Sequence, residues 1–313
     1  MAEKELMAIN NHTVNRATIQ ALGVLCQVNN QFYRSATRLL YRRVHLDLGD
    51  LGQRPLTPIS IDKFSLSPHR RVVRHVMITC LYARDQDGMI RLQELATVLA
   101  RFPSLKSLSI SLARSSPNLG YSSKEKLILD ALHQSLQAYG ASGGGSFEEL
   151  RIFNPEIPLS DCGSAQDAFN LSRVMPSLRR FEYVDQTPMY TPAQMAVFYA
   201  LQHAHRIEEI NLKGLGCITE ASLALLPDHA PLRRLELGSM TLRAADLLAL
   251  NRYRSTLEYL SLENIVLAEG SWEEVFHAMS SYTSLTYIEF YKCCYDRYSP
   301  YWAEGPVAYA KNA

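Results

Sequence analysis

One short apolar phrase recurs along this chain: an apolar residue, two spacers, a second apolar residue, one spacer, a third. It stands at Tyr41-Val44-Leu46, Val73-Val76-Ile78, Leu105-Leu108-Ile110, Phe147-Leu150-Ile152 and Leu178-Phe181-Tyr183. Ile207-Ile210-Leu212, Leu232-Leu235-Leu237, Leu257-Leu260-Leu262 and Leu285-Ile288-Phe290 complete the series. Successive phrases begin 32, 32, 42, 31, 29, 25, 25 and 28 residues apart. Units of this size cannot bury an apolar face alone, so each must stack on its neighbours.

Within a phrase the last two apolar residues alternate with a polar one, as in a strand with one buried face. Between phrases the period becomes helical. Leu92, Leu95, Ala96 and Leu99 make one stripe, and Leu127, Leu129, Leu132 and Leu136 another. Ala196, Tyr199, Ala200 and His203 give a third; Trp272, Val275, Phe276 and Met279 give a fourth. Thr191-Pro192 suits a helix start, and Ser271 with Glu274 makes a capping box. Strand, helix, strand at this spacing closes into a sheet by parallel pairing, each helix serving as a crossover. The fold class expected is therefore α/β, as a solenoid with a parallel sheet and outer helices. A doubly wound sheet with helices on both faces is the alternative, but no nucleotide-binding crossover accompanies it.

From Val72 to Tyr291 the series resembles an irregular leucine-rich repeat. It departs from the family's tightest pattern because the Asn after the strand is mostly missing; Asn154 and Asn264 are near matches. The resemblance implies a protein-binding arc. The segment before it differs. Ile19, Leu22, Leu25 and Cys26, then Val28, Phe32, Ala36, Leu39 and Leu40, have helical spacing with a break near Asn29-Asn30. The string from Leu25 to Phe32, followed by Leu39-Leu40-Tyr41-Arg42-Arg43-Val44-His45-Leu46, resembles the second half of an F-box. His69 to Ile78 is similar to the run that opens the repeat domain in fungal F-box proteins.

This resemblance implies a helical F-box-like segment over 1–46, a linker or long loop over 47–71, repeats over 72–292 and a C-terminal cap or tail over 293–313. It further implies docking to the Skp-type adaptor of a cullin-RING ubiquitin ligase, with Leu25, Val28, Phe32, Leu39 and Tyr41 as the contact residues. Packing of the head on the first repeat is the other role open to them. The Leu-Pro pair and the apolar first helix of an F-box are absent, since Glu3 to Arg16 supplies only Leu6, Met7, Ile9 and Val14. Two origins remain open: a box that has lost this part, or a start codon placed inside a longer gene.

If the phrases are parallel strands, the residues between their apolar positions form rows across one face. One row reads Ser107, Glu149, Arg180, Glu209, Arg234, Tyr259, Tyr287. The next reads Ser109, Arg151, Glu182, Asn211, Glu236, Ser261, Glu289. Alternating charges in such rows favour correct register, and the same side chains offer a polar recognition surface. Arg180, Glu182, Glu209, Asn211, Arg234 and Glu236 are the candidate partner-binding residues. Tyr259, Tyr287 and Tyr291 extend them, because amphipathic aromatics are enriched at interfaces. A C-terminal tail folded over the last repeat is the competing role for that end.

Composition limits the functions open to such a fold. The 313 residues carry 32 Lys+Arg against 31 Asp+Glu, a balance that argues against general attraction to nucleic acid or anionic membrane. Residues 1–75 hold 11 basic and 5 acidic groups, a net of +6 against −5 for the rest, read as a solvated face and a basic first repeat. The start is too polar for a secretory signal, and the longest apolar run, Met195 to Leu201, has seven residues, far short of a bilayer span. Six cysteines without regular spacing suggest reduced thiols, hence a cytoplasmic or nuclear protein. Ser142-Gly143-Gly144-Gly145-Ser146 lacks the Gly-Lys-Ser/Thr ending of a phosphate loop and reads as a flexible insertion. His203 and His205 lack a third ligand, and Cys293-Cys294 read as free thiols. With no nucleophile elbow or Cys/His pair, the expectation is no enzyme, no cofactor and no metal.

Overall fold

The structure, a computed structural model, describes residues 41–47, 66, 68–80, 97–112, 134–136, 138–139, 148–153, 174–184, 192–217 and 222–295. Each of the nine phrases contributes a strand. In chain order these are β1 (Arg43–Asp47), β2 (His75–Cys80), β3 (Ser107–Leu112), β4 (Glu149–Phe153) and β5 (Arg180–Val184). They are followed by β6 (Glu209–Cys217), β7 (Arg234–Arg243), β8 (Tyr259–Glu269) and β9 (Tyr287–Tyr291). A two-residue β10 (Cys294–Tyr295) completes one open, ten-stranded sheet. Every pair is parallel, and from β1 to β9 each strand pairs with the next in sequence; β10 returns to pair with β8, the partner strand of β9.

The register follows the phrase. Val76, Leu108, Leu150, Phe181, Ile210, Leu235, Leu260 and Ile288 stand opposite one another in an unbroken row. All but Ile288 are at most 1% exposed. A one-residue slip at any strand would turn that row outward, so burial fixes the pairing. Each such side chain contributes roughly 1.5–3 kcal/mol by leaving water.

Between the later strands lie the helices α1 (Pro192–Leu201), α2 (Ala244–Leu248) and α3 (Trp272–Met279). α3 starts as its sequence requires. Glu274 N donates to Ser271 Oγ at 3.1 Å, Ser271 N donates to Glu274 Oε2 at 3.4 Å, and Trp272, Val275 and Met279 are buried. Gly270, at φ +80°, lets the chain enter this cap closely against α2; a Cβ there would lie 2.4 Å from the Ala244 Cβ.

One expectation is corrected. The α1 stripe is not Ala196-Tyr199-Ala200-His203: Val197, Phe198, Leu201 and Ala204 are buried with Ala200, whereas Tyr199 and His203 are only half-buried. Met195 to Leu201 is apolar throughout, so spacing did not select a face, and the bulkier Val-Phe-Leu set fills the core. The sheet begins at Arg43, where Val44 carries the first phrase and pairs with Val76. At the other end Cys294 and Tyr295 join the sheet opposite Val266 and Leu267.

One repeated feature is invisible in the phrase. Gly214, Ser239, Asn264 and Lys292, each the residue after the row Lys213-Gly238-Glu263-Tyr291, have φ between 53° and 80°. The left-handed residue makes a corner. Beyond it the strands resume pairing, at Met240 with Ile265 and Thr241 with Val266.

Candidate recognition face

The sheet face opposite the apolar row carries the polar spacers. In register across it stand Arg43, His75, Ser107, Glu149, Arg180, Glu209, Arg234, Tyr259 and Tyr287. Two residues further along each strand stand Met77, Ser109, Arg151, Glu182, Asn211, Glu236, Ser261 and Glu289. The named candidates Arg180, Glu182, Glu209, Asn211, Arg234, Glu236, Tyr259 and Tyr287 thus share one surface, and Tyr291 lies on it four residues beyond Tyr287. Of the head residues only Tyr41 is described; its ring stacks on His69 at 4.3 Å. Leu25, Val28, Phe32 and Leu39 lie outside the described residues.

The centre of the face is a connected ion network. Arg180 donates through Nη2 to Glu209 at 2.6 Å and through Nη1 to Glu149 at 3.4 Å, bridging the strands on both sides. Arg151 bonds Glu149 on its own strand through Nε at 2.7 Å and lies 3.5 Å from Glu182. Asn211 Nδ2 donates to Glu182 at 2.9 Å. Burial raises the Glu149 carboxyl, but hydrogen bonds from Ser107 and Arg151, with the charges of Arg151 and Arg180, outweigh it and hold it below the usual carboxylate range. Glu182 goes the other way: burial, helped by Glu236 and Glu149, prevails over Arg151 and Asn211. The hydrogen bond to Glu209 holds the Arg180 guanidinium firmly charged.

Arg234 departs from simple alternation. It donates to Glu236 on its own strand, at 2.8 Å from Nε and 2.6 Å from Nη2, and its guanidinium lies 3.8 Å over the Tyr259 ring. Tyr259 in turn stacks on Tyr287 with centroids 4.7 Å apart and planes within 5°. A column of cation, ring and ring therefore ends at Tyr287, which is 41% exposed. Tyr259 Oη and Ser261 Oγ both donate to Glu289 Oε2, at 3.2 and 3.3 Å. Burial, with Glu236 next, pushes the Tyr259 hydroxyl up to about 12. The nearby Tyr282 and Tyr295 are 9% exposed and belong to the core, where Tyr295 Oη accepts from Trp272 N at 3.1 Å.

Two features escaped the reading of spacing. The first is a rim row in which Glu148, Arg179, Glu208, Arg233 and Glu258 alternate in sign. Arg179 binds Glu208 bidentately at 2.8 and 2.9 Å, and Arg233 meets Glu258 at 3.3 Å. These are strand-entry spacers outside the apolar alternation; aligning the phrases and reading one position earlier in each would have found them. The second is Lys213, whose Nζ reaches Glu263 at 2.7 Å across the intervening strand. Gly238 leaves it room, since a Cβ there would lie 3.0 Å from Lys213 Cγ.

His203 Nε2 lies 3.3 Å from Gln202 Nε2, and His205 is exposed. Cys293 and Cys294 are free, and burial raises the Cys293 thiol. Among the described residues no three His, Cys, Asp or Glu side chains gather as a metal would need, and no helix is long and apolar enough to cross a membrane. Neither a protein-family model nor a curated protein matches the chain.

Proposed function

We propose that this chain is a non-catalytic protein-recognition module resembling the substrate receptor of a cullin-RING ubiquitin ligase of the SCF type. The sheet and its helices are read as an irregular leucine-rich-repeat solenoid whose polar face holds a protein substrate. The F-box-like head docks a Skp-type adaptor through Leu25, Val28, Phe32, Leu39 and Tyr41. The observation that supports recognition best is the face itself. From β4 to β9, six strands present charged, polar and aromatic spacers in register, ending in the exposed ring of Tyr287. Rigid strands hold such side chains at low entropic cost, which is what an interface needs from its anchors.

The absence of the Leu-Pro pair and apolar first helix favours a second reading, a stand-alone repeat scaffold that binds a partner without ligase coupling. Co-expression with a Skp-type adaptor, followed by size-exclusion chromatography, separates the two. The ligase reading expects the wild type to co-elute and a folded Leu25→Asp/Phe32→Asp variant not to. A wild type that never co-elutes sinks the ligase role and leaves the scaffold.

A further inference from the structure

The two ends of the polar face treat their arginines differently. From β4 onward the guanidinium groups of the face and its rim are neutralised: Arg151, Arg179, Arg180, Arg233 and Arg234 each have a carboxylate partner. At the β1–β2 end, Arg42, Arg43 and Arg74 are exposed and none has an ion pair among the described residues. They are also crowded. Arg74 N and His75 N both donate to Arg42 O, at 2.9 and 3.0 Å, and Arg43 stands opposite His75 in the register. Neighbouring rungs are about 4.8 Å apart, a spacing at which like charges repel. His75 records that field: burial depresses its pKa, and Arg43 and Arg42 add to the effect against Glu149. Two residues along β2, Met77 is 47% exposed on the same face.

We infer that the β1–β2 end of the face docks an acidic segment of a protein partner, its carboxylates on Arg42, Arg43 and Arg74 and an apolar side chain on Met77. The inference rests on the proposed reading of the face as a protein-recognition surface. Repulsion that the rest of the sheet avoids by alternating signs is retained here and is relieved when carboxylates arrive. Guanidinium groups suit them because they bind bidentately. Charge complementarity of this kind also steers encounter and sets the register of a partner along the face. A peptide is favoured over a nucleic acid by what lies beyond. Past β3 the two rows set Glu149, Glu182, Glu209 and Glu236 beside Arg151, Arg180 and Arg234, which already have carboxylate partners, so a phosphate backbone extended past β3 would meet no unpaired arginine of these rows. A short acidic segment ends before reaching that stretch.

The test uses the full chain and a fluorescein-labelled peptide of eight glutamates carrying one leucine, followed by anisotropy at 50 and 150 mM NaCl. Binding that weakens with salt, and falls at least about tenfold in a folded Arg43→Glu/Arg74→Glu variant, is the expected result. An Arg179→Ala/Arg233→Ala control, which removes arginines already paired, should stay within about twofold. No binding by the wild type, or equal loss in both variants, overturns the inference. Tighter binding of a twelve-nucleotide single strand assigns the patch to nucleic acid and overturns it as well. The adaptor experiment is independent: peptide binding without adaptor co-elution removes only the ligase reading, and co-elution without peptide binding removes only this inference.

Discussion

The two halves of the sheet are built from the same phrase but to different depths. In β1 to β5 the strands have five or six residues and the phrases start 29 to 42 residues apart. In β6 to β8 the strands have nine to eleven residues, and phrases there start 25 and 28 residues apart. The difference lies at the corner. A left-handed residue at Gly214, Ser239 and Asn264 turns the chain and allows a second stretch of parallel pairing, with Ile265 and Leu267 fully buried beyond it. A tight repeat thus stacks two short ladders per unit, whereas a loose one commits its backbone hydrogen bonds to a single ladder. Shared phrase, then, does not mean shared rigidity.

Core truncation tests this most strongly. Leu108 on β3 and Leu260 on β8 hold the same place in the phrase, and both are 0% exposed. Leu260→Ala should cost about 4 kcal/mol, toward the upper end for a buried leucine, because its doubly laddered surroundings cannot collapse into the cavity. Leu108→Ala should cost about 2 kcal/mol, its shorter strands relaxing around the gap. Urea unfolding of the two variants measures both. Equal costs would mean that the halves are packed alike and that the corner adds nothing to rigidity.

Within the first half, Arg151 on β4 serves two carboxylates with opposite tendencies, and this gives a smaller test. Glu149 titrates below the usual range when folded, so it stabilises the protein above the unfolded carboxylate pKa, and that contribution disappears as pH falls through its folded pKa. Glu182 titrates above the usual range. Its preference for the proton favours the fold below the unfolded pKa and is lost as pH rises through the folded one, leaving its charge a burden at neutrality. Glu149→Gln should therefore lower stability at pH 7 by about 1 kcal/mol, whereas Glu182→Gln should leave it unchanged or slightly higher. Both differences should shrink toward pH 4, which unfolding curves at the two pH values would reveal. Losses of the same size for both substitutions would show that Arg151 neutralises the pair equally.

The sheet was legible in the sequence because a phrase with two alternating apolar residues fixes strand, direction and register together. Once Leu235 is set opposite Ile210 and Leu260, the neighbours of Arg234 follow. Conformation beyond the register did not follow. The row of alternating charges sets Arg234 against Glu209, but its long side chain folds back to Glu236 and lies over the Tyr259 ring, a choice of rotamer that spacing does not encode. The α1 face was misread because a wholly apolar run has no stripe. The corners were missed because Gly, Ser, Asn and Lys share no side-chain chemistry; what they share is a backbone angle. Register arranges the side chains of the face but does not encode what they hold.

The corner supplies the finest test of the comparison. An L-residue with a Cβ in the left-handed region costs roughly 1–2 kcal/mol relative to its favoured conformations, whereas glycine is at ease there. Gly214 already meets that requirement, but Ser239 at φ 53° and Lys292 at φ 53° do not. Asn264 is a poorer choice for a test, because its Nδ2 donates to Ser239 Oγ at 3.3 Å and asparagine tolerates the conformation. Ser239→Gly gives up that hydrogen bond, exposed and weak, along with some unfolded-state restriction. Lys292→Gly gives up the approach of its Nζ to the Tyr291 ring, 5.1 Å from the centroid. Relief should prevail in both, raising stability by a few tenths of a kcal/mol to about 1. Thermal unfolding of each variant, and of the pair, would measure it; glycine that destabilises both sites would mean that side-chain contacts, not the backbone angle, hold the corner.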